Sequence, residues 1–221
     1  LIGFGIKRLN FSLDTLDPEK FLKITQRDRY DKVWNAIMTA HKLGMSPIKV
    51  NAVILKGLND DEIENITALT QKYPFHIRFI EYMPMGDSDV EKNQQMLTQE
   101  IMDRIESRFG KLIAIHRAAN DGPAKKYQIP NARGIVGFIT AISSHFCSDC
   151  NRLRLTSRGT LRPCLLNNYE KDILTPLRNG ASDDELKEII VSALAKKPAF
   201  HGLTDDKIKS APISHMTSIG G

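Results

Sequence analysis

The stretch IKVNAVILKGLNDDEIENITALTQKYPFHIRFIEY, residues 48–82, indicates the fold class of this chain. It opens with a β-branched apolar run, Ile48 to Leu55, which predicts a buried strand. A helix is predicted from Asn59-Asp60 until Pro74 ends it, and a second strand follows over Phe75 to Tyr82. A strand, a helix and a strand in this order are typical of a parallel sheet with a crossover helix.

The residues before this stretch repeat the pattern. Lys7 to Asp14 has apolar side chains at every second position, which predicts a strand. Apolar side chains then recur at helical spacing from Tyr30 to His41, and Gly44 offers a cap for that helix. We therefore expect an α/β chain whose parallel strands bind ligands at their carboxyl ends. Three strands alone would leave an edge unpaired, so we also expect further strands upstream of Leu1.

The second half of the chain has a different pattern. A helix is predicted over Thr98 to Phe109, and a second one over Ser182 to Lys196, where Ser182 and Glu185 form a capping box. Between them the sequence changes to short strand-like segments, with a hairpin around Ser157-Arg158-Gly159. The predicted short strands are Leu112 to His116, Lys125 to Ile129, Gly134 to Ile142, Arg152 to Thr156 and Thr160 to Pro163. These residues predict a mixed α+β region.

The composition narrows the possible partners. Lys+Arg 31 against Asp+Glu 26 gives a net charge of +5, which favours an anionic ligand. Only 7% of the residues are aromatic, so a small phosphorylated ligand is favoured over nucleic acid. No apolar run approaches the roughly 18 residues of a membrane span. An odd number of cysteines, 3, argues against a disulfide framework and favours metal ligands.

All three cysteines lie in one segment, CSDCNRLRLTSRGTLRPC, residues 147–164. The C-x2-C pair can bind one metal centre from a tight turn, and a hairpin would bring Cys164 back to it. The spacing leaves three interpretations open: a structural zinc ion, an iron–sulfur cluster with one iron free for substrate, or cysteines of the core. For zinc, a fourth ligand would come from one of three histidines, His116, His145 or His201.

Polar residues in or near the strands are further candidates. Lys49 is a binding-site candidate, because a lone lysine in a buried parallel strand is costly unless it faces a polar cavity. Arg152 and Arg154 alternate along a predicted strand, so they are either a clamp for phosphate or carbonyl oxygens or ordinary solvated charges. For Ser12 and Met83, a satisfied hydroxyl and a core thioether are the structural alternatives.

Several motifs together carry a resemblance that covers essentially the whole chain. The cysteine segment with its NRLRL sequel is the most specific of them. The others are LNFSLDTLDPEKF (9–21), IKVNAVILKGLND (48–60), IRFIEYMPMG (77–86), KKPAFHGL (196–203) and the closing GG. With these motifs the chain resembles the GTP 3′,8-cyclase family, the molybdenum cofactor biosynthesis protein A group of the radical S-adenosylmethionine superfamily.

The resemblance implies an incomplete TIM-type barrel with a [4Fe–4S] cluster at each end of its cavity. Cys147, Cys150 and Cys164 resemble the ligands of the carboxyl-terminal cluster, whose open iron binds the guanine of GTP. Gly220 and Gly221 resemble a tail that reaches toward the active site and assists there.

The resemblance also assigns candidate contacts to substrate and cofactor. Lys49 and the segment Arg152-Leu153-Arg154 resemble GTP contacts. Ser12 and Met83 match S-adenosylmethionine contacts, and Arg78 is a less specific match of the same kind.

The implied reaction is a radical cyclisation. Reductive cleavage of S-adenosylmethionine gives a 5′-deoxyadenosyl radical, which takes hydrogen from the ribose of GTP. The resulting carbon radical attacks guanine C8 and leads to (8S)-3′,8-cyclo-7,8-dihydroguanosine 5′-triphosphate. The resemblance further implies a homodimer, transfer of the product to the next enzyme of molybdopterin synthesis, no membrane or nucleic-acid partner, and a bacterial cytoplasmic or, in a eukaryote, mitochondrial location.

One family motif is not found in these residues. The C-x3-C-x2-C motif, which binds the cluster that cleaves S-adenosylmethionine, is expected upstream of the first strand. We therefore expect residues 1–90 to form a partial barrel of βαβαβ order and residues 91–221 to hold the substrate-side cluster and the GTP site. This fragment alone is expected to be inactive. The alternative from another class is a non-enzymatic zinc module that binds nucleotide or nucleic acid.

Overall fold

The computed structural model describes residues 2–83, 90, 92–116, 122–144, 147 and 150–200. The chain divides into two compact units, of which the first comprises residues 1–82 and 91–144. The second comprises residues 83–90 and 145–221. Within the described ranges, no helix combines the length and the apolar character that a membrane crossing needs.

The first unit is built on one six-stranded sheet with the order β1-β2-β3-β6-β5-β4. Its strands are β1 (Leu9–Ser12), β2 (Ile48–Val53), β3 (His76–Ile80), β4 (Ile113–Ile115), β5 (Lys125–Gln128) and β6 (Ile135–Ile139). The neighbours β1, β2, β3 and β6 run parallel, whereas β5 and β4 are antiparallel. The predicted α/β class is confirmed. The strands β4, β5 and β6, which lie beyond residue 90, complete this sheet.

Four α-helices belong to the described part of the same unit. They are α1 (Pro18–Thr25), α2 (Tyr30–Lys42), α3 (Ile63–Lys72) and α4 (Thr98–Phe109). The bounds of α4 are those predicted, and α2 starts at the predicted residue. The sequence analysis missed α1, which the Asp17 side chain caps by accepting from the amides of Glu19 and Lys20. Pro18 occupies its first position, where the missing amide costs nothing.

The two faces of the sheet differ in chemistry. One face packs against the helices through fully buried side chains such as Val50, Ile77, Phe79 and Phe138. Because side chains alternate along a strand, the other face receives the polar residues of β1, β2 and β3. We call it the polar face. Burial of the apolar face stabilises the unit.

The start of β6 lies directly against the chain that enters β3. A Cβ atom on Gly134 would stand 2.9 Å from both the Phe75 nitrogen and the Tyr73 oxygen, and would overlap the Phe75 oxygen. The Gly134 amide also donates to the Thr70 oxygen at 2.8 Å. Glycine is therefore required here by close backbone approach, not by its φ angle.

The second unit contains a small antiparallel sheet of order β7-β8-β9 and two helices. Its elements are β7 (Arg154–Leu155), β8 (Thr160–Arg162), β9 (Lys171–Asp172), α5 (Leu174–Arg178) and α6 (Asp183–Ala195). The predicted hairpin between β7 and β8 is confirmed, and its Gly159 has a φ of 77°. The capping box of α6 is also confirmed, with the Ser182 amide donating to Glu185 at 2.8 Å and the Glu185 amide to Ser182 at 3.3 Å.

Candidate functional site

Lys49 lies at the centre of a row of polar side chains that crosses the amino ends of the parallel strands. It pairs in register with Asn10 on β1 and with His76 on β3. The side chains of paired residues point to the same face of a sheet, so all three belong to the polar face. Lys49 is half-buried, as expected for a cation that faces a polar cavity and not the apolar core.

A second row, two residues further along each strand, contains Ser12, Asn51 and Arg78 in register. The Arg78 guanidinium is fixed by two amide oxygens: Nε donates to Asn51 at 2.8 Å and Nη2 to Asn10 at 2.9 Å. On the next strand, Gly137 leaves room for this side chain, since a Cβ there would stand 3.2 Å from Arg78 Cγ. Asn10 was not singled out from the sequence, although it alternates with Ser12 on β1.

A cleft with a volume of about 120 Å³ opens on the polar face. Five of its lining residues are basic: Arg8, Lys49, His76, Arg78 and Lys126. None of the described lining residues is acidic. A cluster of basic side chains in one cleft favours an anion with several charges, such as a polyphosphate.

The carboxyl ends of β1 and β2 are tied together by Asp14 and Asn59. The Val53 amide donates to the Asp14 carboxylate at 2.8 Å, and the Asn59 side chain donates to the backbone oxygens of Asp14 and Val53. Burial raises the pKa of Asp14, and the hydrogen bond from Val53 opposes this only in part. The buried carboxylate of Glu62 accepts from Thr15 Oγ1 at 2.6 Å and so holds the adjacent loop.

Glu81, directly after β3, is a buried carboxylate that the sequence analysis missed. Its side chain is 2% exposed and accepts from the amides of Thr98, Ile142 and Ser143 at 2.9–3.0 Å and from the Ser143 hydroxyl. Burial, the largest effect on its pKa, raises it, but these hydrogen bonds outweigh burial and hold the pKa below its ordinary value. Glu81 therefore connects β3, the start of α4 and the chain after β6.

The three cysteines of the second unit come close to one another. The Cys150 amide donates to the Cys147 oxygen at 3.2 Å, which makes the predicted tight turn. Arg154 pairs with Arg162 across β7 and β8, and Cys164 follows two residues after β8. Burial raises the pKa of the Cys164 thiol, and so do the nearby thiols of Cys147 and Cys150. All three are free and half-buried.

Several arginines belong to this cysteine segment. Burial lowers the pKa of Arg154, as does the charge of Arg152, whereas Cys150 and Cys164 act in the opposite direction. Arg162, which is 0% exposed, donates through Nε to the Cys164 backbone oxygen at 3.3 Å. Its sequence context, a charged residue in a short strand, gave no sign of burial.

The strand β7 is shorter than predicted, since Arg152 lies outside it. The backbone oxygens of Cys150 and Arg152 accept hydrogen bonds from Lys197 Nζ at 2.6 and 2.8 Å. Lys197 thus donates to these backbone oxygens in place of the amides of a neighbouring strand. The charges of Arg152 and Arg154 still interact, but the two side chains do not alternate along one strand.

The chemistry of the cysteine donor set decides which metal centre it fits. In the described part of the chain, no three His, Cys, Asp or Glu side chains are placed to share a single metal ion. In an iron–sulfur cluster, however, each thiolate binds a different iron, so the three sulfurs need not meet at one point. Three neighbouring thiols beside Arg154 and Lys197 fit an anionic cluster on these grounds.

Comparison with known proteins gives two family matches. Residues 75–203 match the family described as Molybdenum Cofactor Synthesis C, which covers more than half of the chain. Residues 1–70 match the Radical SAM superfamily. A GTP 3′,8-cyclase of Thermodesulfovibrio yellowstonii is 42% identical over 221 residues, which cover 100% of this chain and 67% of that protein. The chain belongs to the GTP 3′,8-cyclase family.

Other members of the GTP 3′,8-cyclase family are similarly close. The one from Gloeobacter violaceus is 42% identical and aligns with 100% of this chain and 68% of its own length. The one from Desulforamulus reducens is 45% identical over 202 residues, or 91% of this chain. The chain spans 62% of that last relative. The resemblance stated from the motifs is confirmed.

The predicted S-adenosylmethionine contacts of this family member fall in both units, and four other predicted site residues are not described. Met83 is described and half-buried, and it belongs to the second unit, whereas Ser12 and Arg78 belong to the first. Gly220, Gly221, His145 and His201 lie outside the described residues. Their assignments stay predictions.

Proposed function

We propose that this chain is the GTP-binding and substrate-side cluster part of a GTP 3′,8-cyclase that acts in molybdenum cofactor biosynthesis. In this proposal the whole protein uses S-adenosylmethionine to cyclise GTP, in the bacterial cytoplasm. The homodimer and the transfer of product to the next enzyme stay predictions from the resemblance. Nucleic acid and membranes are not among the proposed partners.

The observation that carries the proposal is the basic cleft of the polar face. It brings Lys49, the predicted GTP contact, together with Arg8, His76, Arg78 and Lys126. GTP carries a triphosphate with several negative charges, and charge-assisted hydrogen bonds to such oxygens are strong. We propose that Lys49, with Arg8, His76 and Lys126, binds the triphosphate and holds it in one orientation, so that only a single ribose carbon is presented for reaction.

The proposed cluster ligands are Cys147, Cys150 and Cys164. When bound, the [4Fe–4S] cluster supplies an iron with an open coordination position to which a guanine base can bind. Arg152, Leu153 and Arg154 follow the C-x2-C turn directly and are proposed as contacts of the same nucleotide. The half-buried guanidinium of Arg154 would donate to oxygens of the nucleotide. Hydrogen bonds are electrostatically stronger in such a partly dehydrated setting than in water.

Ser12 and Arg78 are proposed as S-adenosylmethionine contacts together with Met83. The first two share one row of the polar face, and the amides of Asn10 and Asn51 orient Arg78. A guanidinium fixed in this way can donate to a carboxylate such as that of the amino-acid part of S-adenosylmethionine. We propose that the tail residues Gly220 and Gly221 assist at the active site.

The experiment is anaerobic reconstitution of the purified chain with iron and sulfide, followed by iron counting and a visible spectrum. The proposal expects about four irons per chain, and clear loss of iron in Cys147→Ser, Cys150→Ser and Cys164→Ser. His116→Gln is the matched control, since His116 would matter only for a zinc site. Binding of one zinc and no iron under these conditions would support the zinc-module alternative instead. GTP titration of the reconstituted chain, with Lys49→Gln as the variant and Lys56→Gln as its control, tests the cleft.

A further inference from the structure

We infer that Lys197 is a positioning residue that holds the segment after Cys150 in the shape required for cluster binding, an inference that rests on the proposed role of the three cysteines. Its Nζ donates to the Cys150 backbone oxygen at 2.6 Å and to the Arg152 backbone oxygen at 2.8 Å. Residues 150–153 lie between the C-x2-C turn and β7 and have no regular secondary structure. Lys197 therefore donates to backbone oxygens that, in a sheet, would accept hydrogen bonds from the amides of a neighbouring strand.

The ammonium group is held on a rigid support. The Lys197 amide donates to the Leu194 oxygen at 2.9 Å, and the Lys196 amide donates to the Ala193 oxygen at 3.2 Å. Both bonds close the last turn of α6, and Ala193 is 0% exposed. At the other end of the helix, the Ser182 and Glu185 capping box fixes its start. The Lys197 side chain thus links the end of α6 to the backbone that follows the C-x2-C turn.

The neighbouring residue Lys196 provides a matched control. It has the same side chain on the same helix end, but it is exposed. The removal of its charge changes the net charge of the chain as much as the removal of Lys197 does. A difference between the two variants therefore reports the two carbonyl contacts and not the overall charge.

The test compares Lys197→Met, Lys197→Arg and Lys196→Met in the full chain. In the metal-free protein, amide hydrogen exchange of residues 150–155 should be about tenfold faster in Lys197→Met, because two charge-assisted hydrogen bonds are lost. After reconstitution, iron should be lost to a chelator about tenfold faster from the same variant. Lys197→Arg should restore both properties, since a guanidinium can donate to two oxygens, and its reduced cluster should keep the wild-type electron paramagnetic resonance spectrum.

The outcomes separate this inference from the proposed function. Unchanged exchange in Lys197→Met, or equal effects of Lys196→Met, would overturn the role of Lys197 whatever metal binds. Faster exchange with unchanged iron retention would overturn it too, because the contact would then be structural only. If the wild-type chain binds no iron, the proposed function fails, whereas the exchange experiment on the metal-free protein still decides whether Lys197 holds the segment.

Discussion

Arg154 is the residue whose position and chemistry best suit the proposed contact with GTP. It is half-buried, it stands near Cys150 and Cys164, burial lowers its pKa, and an arginine side chain stays protonated in proteins. A permanently charged donor in this setting can recognise an anionic or carbonyl oxygen with little competition from water. Arg152 is exposed and contributes through its charge.

We expect Arg154→Ala to weaken GTP binding by about 10- to 150-fold, which corresponds to one charge-assisted contact of roughly 1.5 to 3 kcal/mol. Arg152→Ala should weaken binding too, at the lower end of that range, because water screens its side chain. The measurement is GTP titration of the reconstituted protein with its iron content checked. Arg158→Ala, on the exposed hairpin turn, is the control. If both variants bind GTP with the affinity of the wild type, neither arginine contributes to GTP binding.

Among the elements, β3 is held at both ends by interactions that its apolar pattern does not reveal. At its carboxyl end, Glu81 accepts hydrogen bonds from α4 and from the chain after β6. At its amino end, Gly134 allows β6 to approach the Phe75 backbone. Each feature gives a separate prediction about stability.

Glu81→Gln should lower the free energy of unfolding at pH 7 by about 2–3 kcal/mol, because an amide nitrogen would face the amides that now donate to a carboxylate. The folded pKa of Glu81 is held below its ordinary value, so its contribution is fully present above the unfolded pKa of about 4.3 and is lost as the pH falls through the folded pKa. The variant and the wild type should therefore converge in acid. Denaturant titrations at pH 7 and at a series of pH values below 4 measure this. Glu100→Gln, which breaks an exposed pair with Lys56, should cost at most about 1 kcal/mol, and an equal loss in both variants would refute the role of Glu81.

Gly134→Ala should destabilise the first unit by about 1–3 kcal/mol, since the new methyl group would meet backbone atoms that cannot rotate away. Thermal unfolding compared with Gly3→Ala gives the measurement, because no atom lies within 4 Å of a Cβ at Gly3. A melting temperature equal to that of the control would mean that the two strands can separate at no cost.

The sequence predicted the elements whose apolar period is strong, and missed those defined by a few polar contacts. The helices α2 and α4 and the three parallel strands follow from spacing, whereas α1 depends on the Asp17 cap. For the site, Lys49, Arg78 and the cysteines stood out because their types are unusual in strands or tight turns. Asn10, Glu81, Arg162 and Lys197 could not be found in this way, since their roles depend on partners that are distant in the sequence.

At the scale of the whole molecule, the number of cysteines limits what the chain can bind. It contains 3, and all of them are assigned to one proposed cluster. A radical enzyme of this superfamily needs a further set of thiolates for the cluster that cleaves S-adenosylmethionine, as the resemblance implies. The 221-residue chain can bind substrate in this proposal, but it has no further cysteine to bind the cluster that cleaves S-adenosylmethionine.

We therefore expect the reconstituted 221-residue chain to release no 5′-deoxyadenosine from S-adenosylmethionine under reducing, anaerobic conditions. The product is measured by chromatography, with a complete member of the family as the positive control. Release of 5′-deoxyadenosine in proportion to the chain concentration would contradict the assignment of all three cysteines to a substrate-side cluster.

The neighbours β3 and β6 are adjacent in the sheet, yet residues 81–134 separate them along the chain. The first three strands and their helices can assemble from short-range contacts, but the fourth parallel strand joins only after a long loop has closed. During synthesis, β3 must therefore wait with one side unpaired until residue 139 has left the ribosome. The nascent chain passes through a period in which this open strand can pair with another molecule, so slow translation between residues 81 and 134 should favour aggregation over folding.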